Sequence, residues 1–173
     1  MYVRQLQHSM AERNRENSKT MKGTWKTARA FLWSLLFVAT LNGCEPNLSD
    51  DPIPIVAFPD IIVNLNLPEY NSLKIDGGYY ALNNGGVRGI LLYRLNAVEY
   101  IAYERNCSYR PNESCSTVDV HQSGLYIFDA CCGSSFDLAT GMPTGGPAWK
   151  PLRRYKTSLQ GNELTIVNEI VNG

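Results

Sequence analysis

The stretch Asp129-Ala130-Cys131-Cys132-Gly133-Ser134-Ser135-Phe136-Asp137 decides how this chain is read. It closes an apolar run, Leu125 to Phe128, places two cysteines side by side, and leaves through Gly133-Ser134 toward Phe136. An apolar run that stops and then turns on glycine is a strand followed by a tight connection. A small β-domain uses such a tip to present a disulfide or a metal centre.

The surrounding body also reads as strands. No window between residues 53 and 173 carries apolar residues at helical spacing. Instead Ile61, Val63, Leu65 and Leu67 share one face, with Asn64 and Asn66 opposite. Asp76-Gly77-Gly78 and Asn83-Asn84-Gly85-Gly86 supply turns, because glycine and asparagine tolerate positive φ. Tyr79 to Leu82, Gly89 to Arg94 and Val98 to Tyr103 have the β-branched and aromatic content of strands. Tyr155 to Leu159 and Glu163 to Val167, joined by Gln160-Gly161-Asn162, form a hairpin. Seven or eight short strands in about 120 residues predict an all-β fold, a sandwich or small barrel.

A length of 173 residues suits about one domain. The formal net charge is zero, from 16 basic and 16 acidic residues. Residues 1–43 hold seven of the basic and two of the acidic ones, so a head of +5 precedes a body of −5. An acidic body repels phosphate, so no nucleic-acid partner is expected.

The basic head reads as an address. Lys22, Lys26 and Arg29 precede an uncharged run from Phe31 to Leu41, the n- and h-regions of a secretory signal and too short to span a bilayer. The run ends in Leu41-Asn42-Gly43-Cys44, which resembles a bacterial lipobox, with Cys44 as the lipidated residue. Asn42 departs from the small or aliphatic residue usual there. The expected organisation is an extension over 1–20 ahead of a start at Met21, a lipoprotein signal peptide over 21–43, a flexible tether over 44–55 and a β-domain over 56–170. Glu45-Pro46-Asn47-Leu48-Ser49-Asp50-Asp51-Pro52 has the polar, proline-punctuated composition of a tether. Acidic residues behind the lipidated cysteine resemble the surface-export signals of Bacteroidetes-type lipoproteins. The expected location is therefore the cell envelope, anchored by lipid to the outer membrane.

Four cysteines remain after Cys44. Cys107 and Cys115 lie in one loop, and fifteen residues intervene before Cys131 and Cys132. Gly133-Ser134-Ser135-Phe136-Asp137 is then followed by Gly141, Gly145-Gly146-Pro147-Ala148, Pro151-Leu152, Tyr155 and a closing hairpin. This order resembles a Rieske [2Fe–2S] domain, in which a loop C-x-H…C precedes C-x-C-H-G-S-x-F-D. The resemblance covers roughly residues 60–168 and implies an antiparallel β-sandwich with two cysteine loops at one tip.

The ligand positions depart from that family. A Rieske centre uses two thiolates and two imidazoles. By the resemblance, Cys107 stands at the first thiolate position, Tyr109 at the first imidazole, Asp129 at the second thiolate and Cys132 at the second imidazole. Three of the four ligand types are replaced. After Cys44 the only histidine is His121, so a two-imidazole centre lacks its donors.

In the family the two cysteines that are not ligands usually form a disulfide between the loops, and they correspond here to Cys115 and Cys131. Cys107 and Cys132 would then face one another and close a second bridge in an oxidising compartment. Four cysteines permit three pairings, and bonding the neighbours Cys131 and Cys132 is the most strained. No metal or cofactor is expected on this reading. The function it implies is a lipid-anchored envelope module with a binding or structural role, whose partners are the membrane and an unidentified envelope protein or ligand. The alternative is electron transfer through a [2Fe–2S] cluster held by four cysteines, or by Cys107, Cys132, His121 and Asp129. A thiol–disulfide enzyme would need a feature that lowers a thiol pKa, and the sequence offers none. No enzymatic residue set is recognised.

Overall fold

The computed structural model describes residues 51–171. The segments expected as extension and signal peptide, and Cys44, lie outside the described residues. Ten strands and one short 3-10 helix follow in order: β1 (Ile61–Asn64), the helix (Pro68–Lys74), β2 (Tyr79–Leu82), β3 (Ile90–Arg94), β4 (Tyr100–Glu104), β5 (Val118–Val120), β6 (Ile127–Asp129), β7 (Ser134–Phe136), β8 (Pro143–Gly145), β9 (Arg154–Gln160) and β10 (Glu163–Val171). Every pairing is antiparallel. One sheet runs β1-β10-β9-β4-β3-β2 and the other β5-β6-β7-β8. The all-β expectation holds.

The two sheets meet through a hairpin that is buried on both faces. Ile90 and Leu92 of β3, with Tyr100 and Ala102 of β4, join Val63, Leu73, Tyr155, Leu164 and Ile166 in one core. The alternate residues Leu91, Ile101 and Tyr103 point the other way and pack with Val118, Ile127, Phe136 and Leu152 in a second. Successive side chains of a strand leave on opposite faces, so β3 and β4 need apolar residues at nearly every position. Ile90-Leu91-Leu92 and Tyr100-Ile101-Ala102-Tyr103 meet that requirement. Full burial of each large side chain contributes about 1.5–3 kcal/mol.

Local polar chemistry sets several strand ends differently from the apolar pattern. β1 stops at Asn64, whose side chain accepts the Asn66 N–H at 3.0 Å and whose carbonyl accepts the Leu67 N–H at 3.1 Å. This turn replaces the ladder, so Leu67 leaves the expected face and is exposed. The β3–β4 turn captures Val98 in the same way: Asn96 Oδ1 accepts the Val98 and Glu99 N–H groups, both at 3.0 Å, and the strand begins only at Tyr100. Residues 51–60 have no regular structure, yet the Arg153 guanidinium donates to the Ile53 and Pro54 carbonyls at 2.6 and 2.7 Å. That part of the expected tether therefore lies along the domain.

A buried carboxylate ties two connections and a strand together. Glu104 is fully buried and accepts the Val87 N–H at 2.8 Å, the Arg88 and Asn106 N–H groups at 3.1 Å, and the Tyr155 hydroxyl at 2.7 Å. The Gly86 backbone passes so close to this carboxylate that a Cβ would collide with it, and its φ of +62° lies where L-residues are strained. Replacing Glu104 by glutamine turns an acceptor into a donor facing buried N–H groups. Glu104→Gln is expected to lower the unfolding free energy by about 2–3 kcal/mol, read from urea denaturation.

Candidate metal centre at the cysteine tip

The tip is assembled from three connections. The first, between β4 and β5, carries Cys107, Tyr109 and Cys115; the β6–β7 turn carries Cys131 and Cys132; the β8–β9 loop covers both. The first loop is pinned by Arg88, whose guanidinium donates to Asn106 Oδ1 at 3.1 Å, to the Ser114 carbonyl at 2.8 Å and to the Glu113 carbonyl. In the second, the Gly133 N–H closes on the Asp129 carbonyl at 2.8 Å, and Gly133 takes a φ of +75°. Ser108 Oγ donates to the Lys150 carbonyl at 2.6 Å, and Ser134 Oγ accepts the Ala148 N–H at 3.0 Å, so the third loop holds down the other two. A Cβ on Gly146 would lie 2.5 Å from the Gly133 carbonyl oxygen and from Ser134 Cα, so this approach requires glycine.

Cys115 and Cys131 form a disulfide between the first two loops, with Cα atoms 5.5 Å apart. Both residues are exposed. The second expected bridge is absent: Cys107 and Cys132 are free thiols with Sγ atoms 3.9 Å apart. Each also has polar neighbours. The Cys132 thiol lies 3.3 Å from Asp129 Oδ2 and 3.0 Å from Ser134 Oγ, whereas Cys107 Sγ accepts the Tyr109 N–H at 3.5 Å.

Asp129 completes the group. It ends β6, pairs across with Val118 and Ser134, and is fully buried. Its Oδ1 accepts the Cys131 N–H at 2.7 Å. One ligand atom each from Cys107, Asp129 and Cys132 lies within 4.8 Å of the others. The strand pairing thus brings together three of the four positions singled out from the sequence. The fourth, Tyr109, is half-buried against the second core, with the Arg110 guanidinium over its ring at 5.3 Å. His121 sits at the other end of the β5–β6 hairpin, its ring stacked on Tyr126 at 4.4 Å with Nδ1 3.0 Å from Ser123 Oγ. It does not join the group.

The donor set does not match a Rieske cluster. Such a centre needs two neutral imidazoles on one iron, and none is within reach among the described residues. The carboxylate is a hard oxygen donor where the family places a thiolate. Asp137 has a local role instead: it accepts from Ala139 N–H, Thr140 N–H and the Thr140 hydroxyl, and the hydroxyl contact leads in holding its carboxyl below the usual range. Sequence reasoning missed the supporting residues Ser108 and Arg88, because their partners lie 42 and up to 26 residues away.

Burial pushes the Cys107 thiol well above its ordinary value of 9.0; the Tyr109 N–H opposes this and Asp129 adds to it. Burial likewise raises Tyr103 and Tyr155 above 10.0. These groups prefer their neutral forms when folded, so their stabilisation is complete below the ordinary pKa and lost above it. The stability of the reduced, metal-free chain should fall from about pH 9 upward, approaching about 1.4 kcal/mol per pH unit for each group recruited. Cys107→Ala should remove the earliest part of that fall in urea titrations run at stepped pH. Separately, Cys115→Ser with Cys131→Ser should cost about 3 kcal/mol, because the bridge restricts the unfolded loop it closes.

No protein-family profile and no curated protein matches the chain. Among solved structures it is similar to a chain in a complex of reduced oxygenase and oxidized ferredoxin in carbazole 1,9a-dioxygenase, at 21% identity over 57% of this chain and 87% of that one, with a TM-score of 0.42. It is similar to the Sphingomonas yanoikuyae B1 ferredoxin at 21% identity, covering 54% and 87%, TM-score 0.39. The ferredoxin of carbazole 1,9a-dioxygenase from Nocardioides aromaticivorans IC177 gives 22% identity, covering 55% and 88%, TM-score 0.39. These likenesses concern the fold, and the chemistry of the tip is read from its own atoms.

Proposed function

We propose that the chain is a lipid-anchored envelope protein whose Rieske-like domain does not build an iron–sulfur cluster and serves as a binding module. One observation carries this reading: the tip offers Cys107, Cys132 and Asp129, with His121 held on Tyr126 at the far end of its hairpin. Two irons bridged by sulfide need four ligands of matched softness, and three donors with one hard oxygen do not supply them. The remaining pair of cysteines is engaged in the Cys115–Cys131 disulfide. The anchor is supported by Leu41-Asn42-Gly43-Cys44 behind a basic and apolar leader. A lipid on Cys44 would hold the domain at a membrane surface through the short tether.

The test is expression of the full chain in a bacterial host that processes lipoproteins. Labelled fatty acid should enter the wild type and not Cys44→Ala. The purified protein should be colourless, with iron and acid-labile sulfide far below stoichiometric. Stoichiometric iron and sulfide with visible absorbance would replace this reading by electron transfer.

A further inference from the structure

We propose that Cys107, Cys132 and Asp129 form a mononuclear, tetrahedral binding site for a zinc-class divalent cation. The inference rests on the reading that no iron–sulfur cluster is built here, and gives the binding module a ligand.

The spacing of the donors carries the argument. A tetrahedral zinc ion with Zn–S near 2.3 Å and Zn–O near 2.0 Å separates its two sulfurs by about 3.8 Å and sulfur from oxygen by about 3.5 Å. The Cys107 and Cys132 sulfurs are 3.9 Å apart, Cys132 Sγ is 3.3 Å from Asp129 Oδ2, and all three ligand atoms lie within 4.8 Å of one another. Two edges thus already have the zinc spacing, and the ion would draw Cys107 and Asp129 together along the third. A disulfide would instead need about 2.05 Å between the sulfurs.

The surroundings favour the same occupant. Asp129 is fully buried, and no lysine or arginine among the described residues forms an ion pair with it. A buried carboxylate facing two neutral thiols and one amide, with no cationic side chain, is costly, and a cation removes that cost. Its Oδ1 is fixed by the Cys131 N–H, which leaves Oδ2 aimed at the thiol. The Tyr109 N–H points at Cys107 Sγ and would stabilise a thiolate there, as outer-shell donors do around metal ligands.

Access comes from a cavity of about 330 Å³ that opens on Cys132 between Tyr109, Glu113 and Pro147. It offers an entry path and leaves the fourth coordination position to water or a ligand from solvent. Two thiolates disfavour magnesium and calcium, and a carboxylate disfavours copper(I), so zinc fits the mixed set. Binding needs no electron transfer: the cation displaces one proton from each thiol to solvent, and the two thiolates and carboxylate leave the site at −1 overall.

The experiment titrates Co²⁺ into the full chain, reduced at Cys107 and Cys132 and kept free of oxygen, and then displaces it with Zn²⁺. One cobalt per chain, intense visible d–d bands of tetrahedral cobalt, a thiolate-to-cobalt charge-transfer band and release of two protons are expected. Cys132→Ser should cut the charge-transfer band by about half or more, since one of the two thiolates is lost. Asp129→Asn should weaken affinity at least about 10-fold, since even outer-shell changes cost that much. If a variant does not fold, the wild type still decides, because Zn²⁺ should shield both thiols from alkylation. Octahedral cobalt bands without charge transfer, or oxidation of Cys107 and Cys132 to a disulfide in the presence of Zn²⁺, would overturn the site and leave the cluster-free reading standing. Iron with acid-labile sulfide in the purified chain would remove both.

Discussion

The carboxylate of Glu104 is the point through which the rest of the structure is connected. It ends the central strand β4 and gathers donors from the β2–β3 turn, from Asn106 at the start of the cysteine loop and from Tyr155 on β9. These segments are far apart in sequence, and without this acceptor each would bury an unpaired donor. A single charged group with four donors is stable in the interior because every donor is oriented by backbone that the two cores already hold. The collision that a side chain at Gly86 would meet shows how little room the arrangement leaves.

The β3–β4 hairpin converts this connection into a platform. Its two faces serve separate cores, so the small sheet that carries the tip is packed directly against the large one. Arg88 then carries the order outward, from the Glu104-bound turn to the carbonyls of Glu113 and Ser114. The position of Cys107 is thus set by a chain of contacts that begins in the interior. The short strands β6 and β7 do the same for Asp129 and Cys132.

At the tip, a soft pair and a hard donor meet in a buried place. The exposed Cys115–Cys131 bridge clamps the loops from outside, while inside the thiols of Cys107 and Cys132 face one another unbonded. Hydrogen bonding to Asp129 and Ser134 aligns Cys132 with the carboxylate. The result is a cup with three donors and a route from solvent.

Much of this was legible in the residues. Turn chemistry at Asn83-Asn84-Gly85-Gly86 and Gln160-Gly161-Asn162 marked two hairpins, and at Asp76-Gly77-Gly78 the turn into β2, since those turns need residues that accept positive φ. The alternation around β1 was visible, but its end was not, because Asn64 redirects the chain by a side-chain bond that competes with the ladder. Strands of three residues such as β5, β7 and β8 are too short to show a period of two. By itself the sequence determined the all-β class, the two cysteine loops and the shortage of imidazole, because turn chemistry and a histidine count are local properties. Only the tertiary structure decided which sulfurs are bonded, which merely face one another, and that the Cys132 thiol lies against both Asp129 and Ser134. Those outcomes depend on distances between segments brought together by packing, and a linear pattern does not contain them.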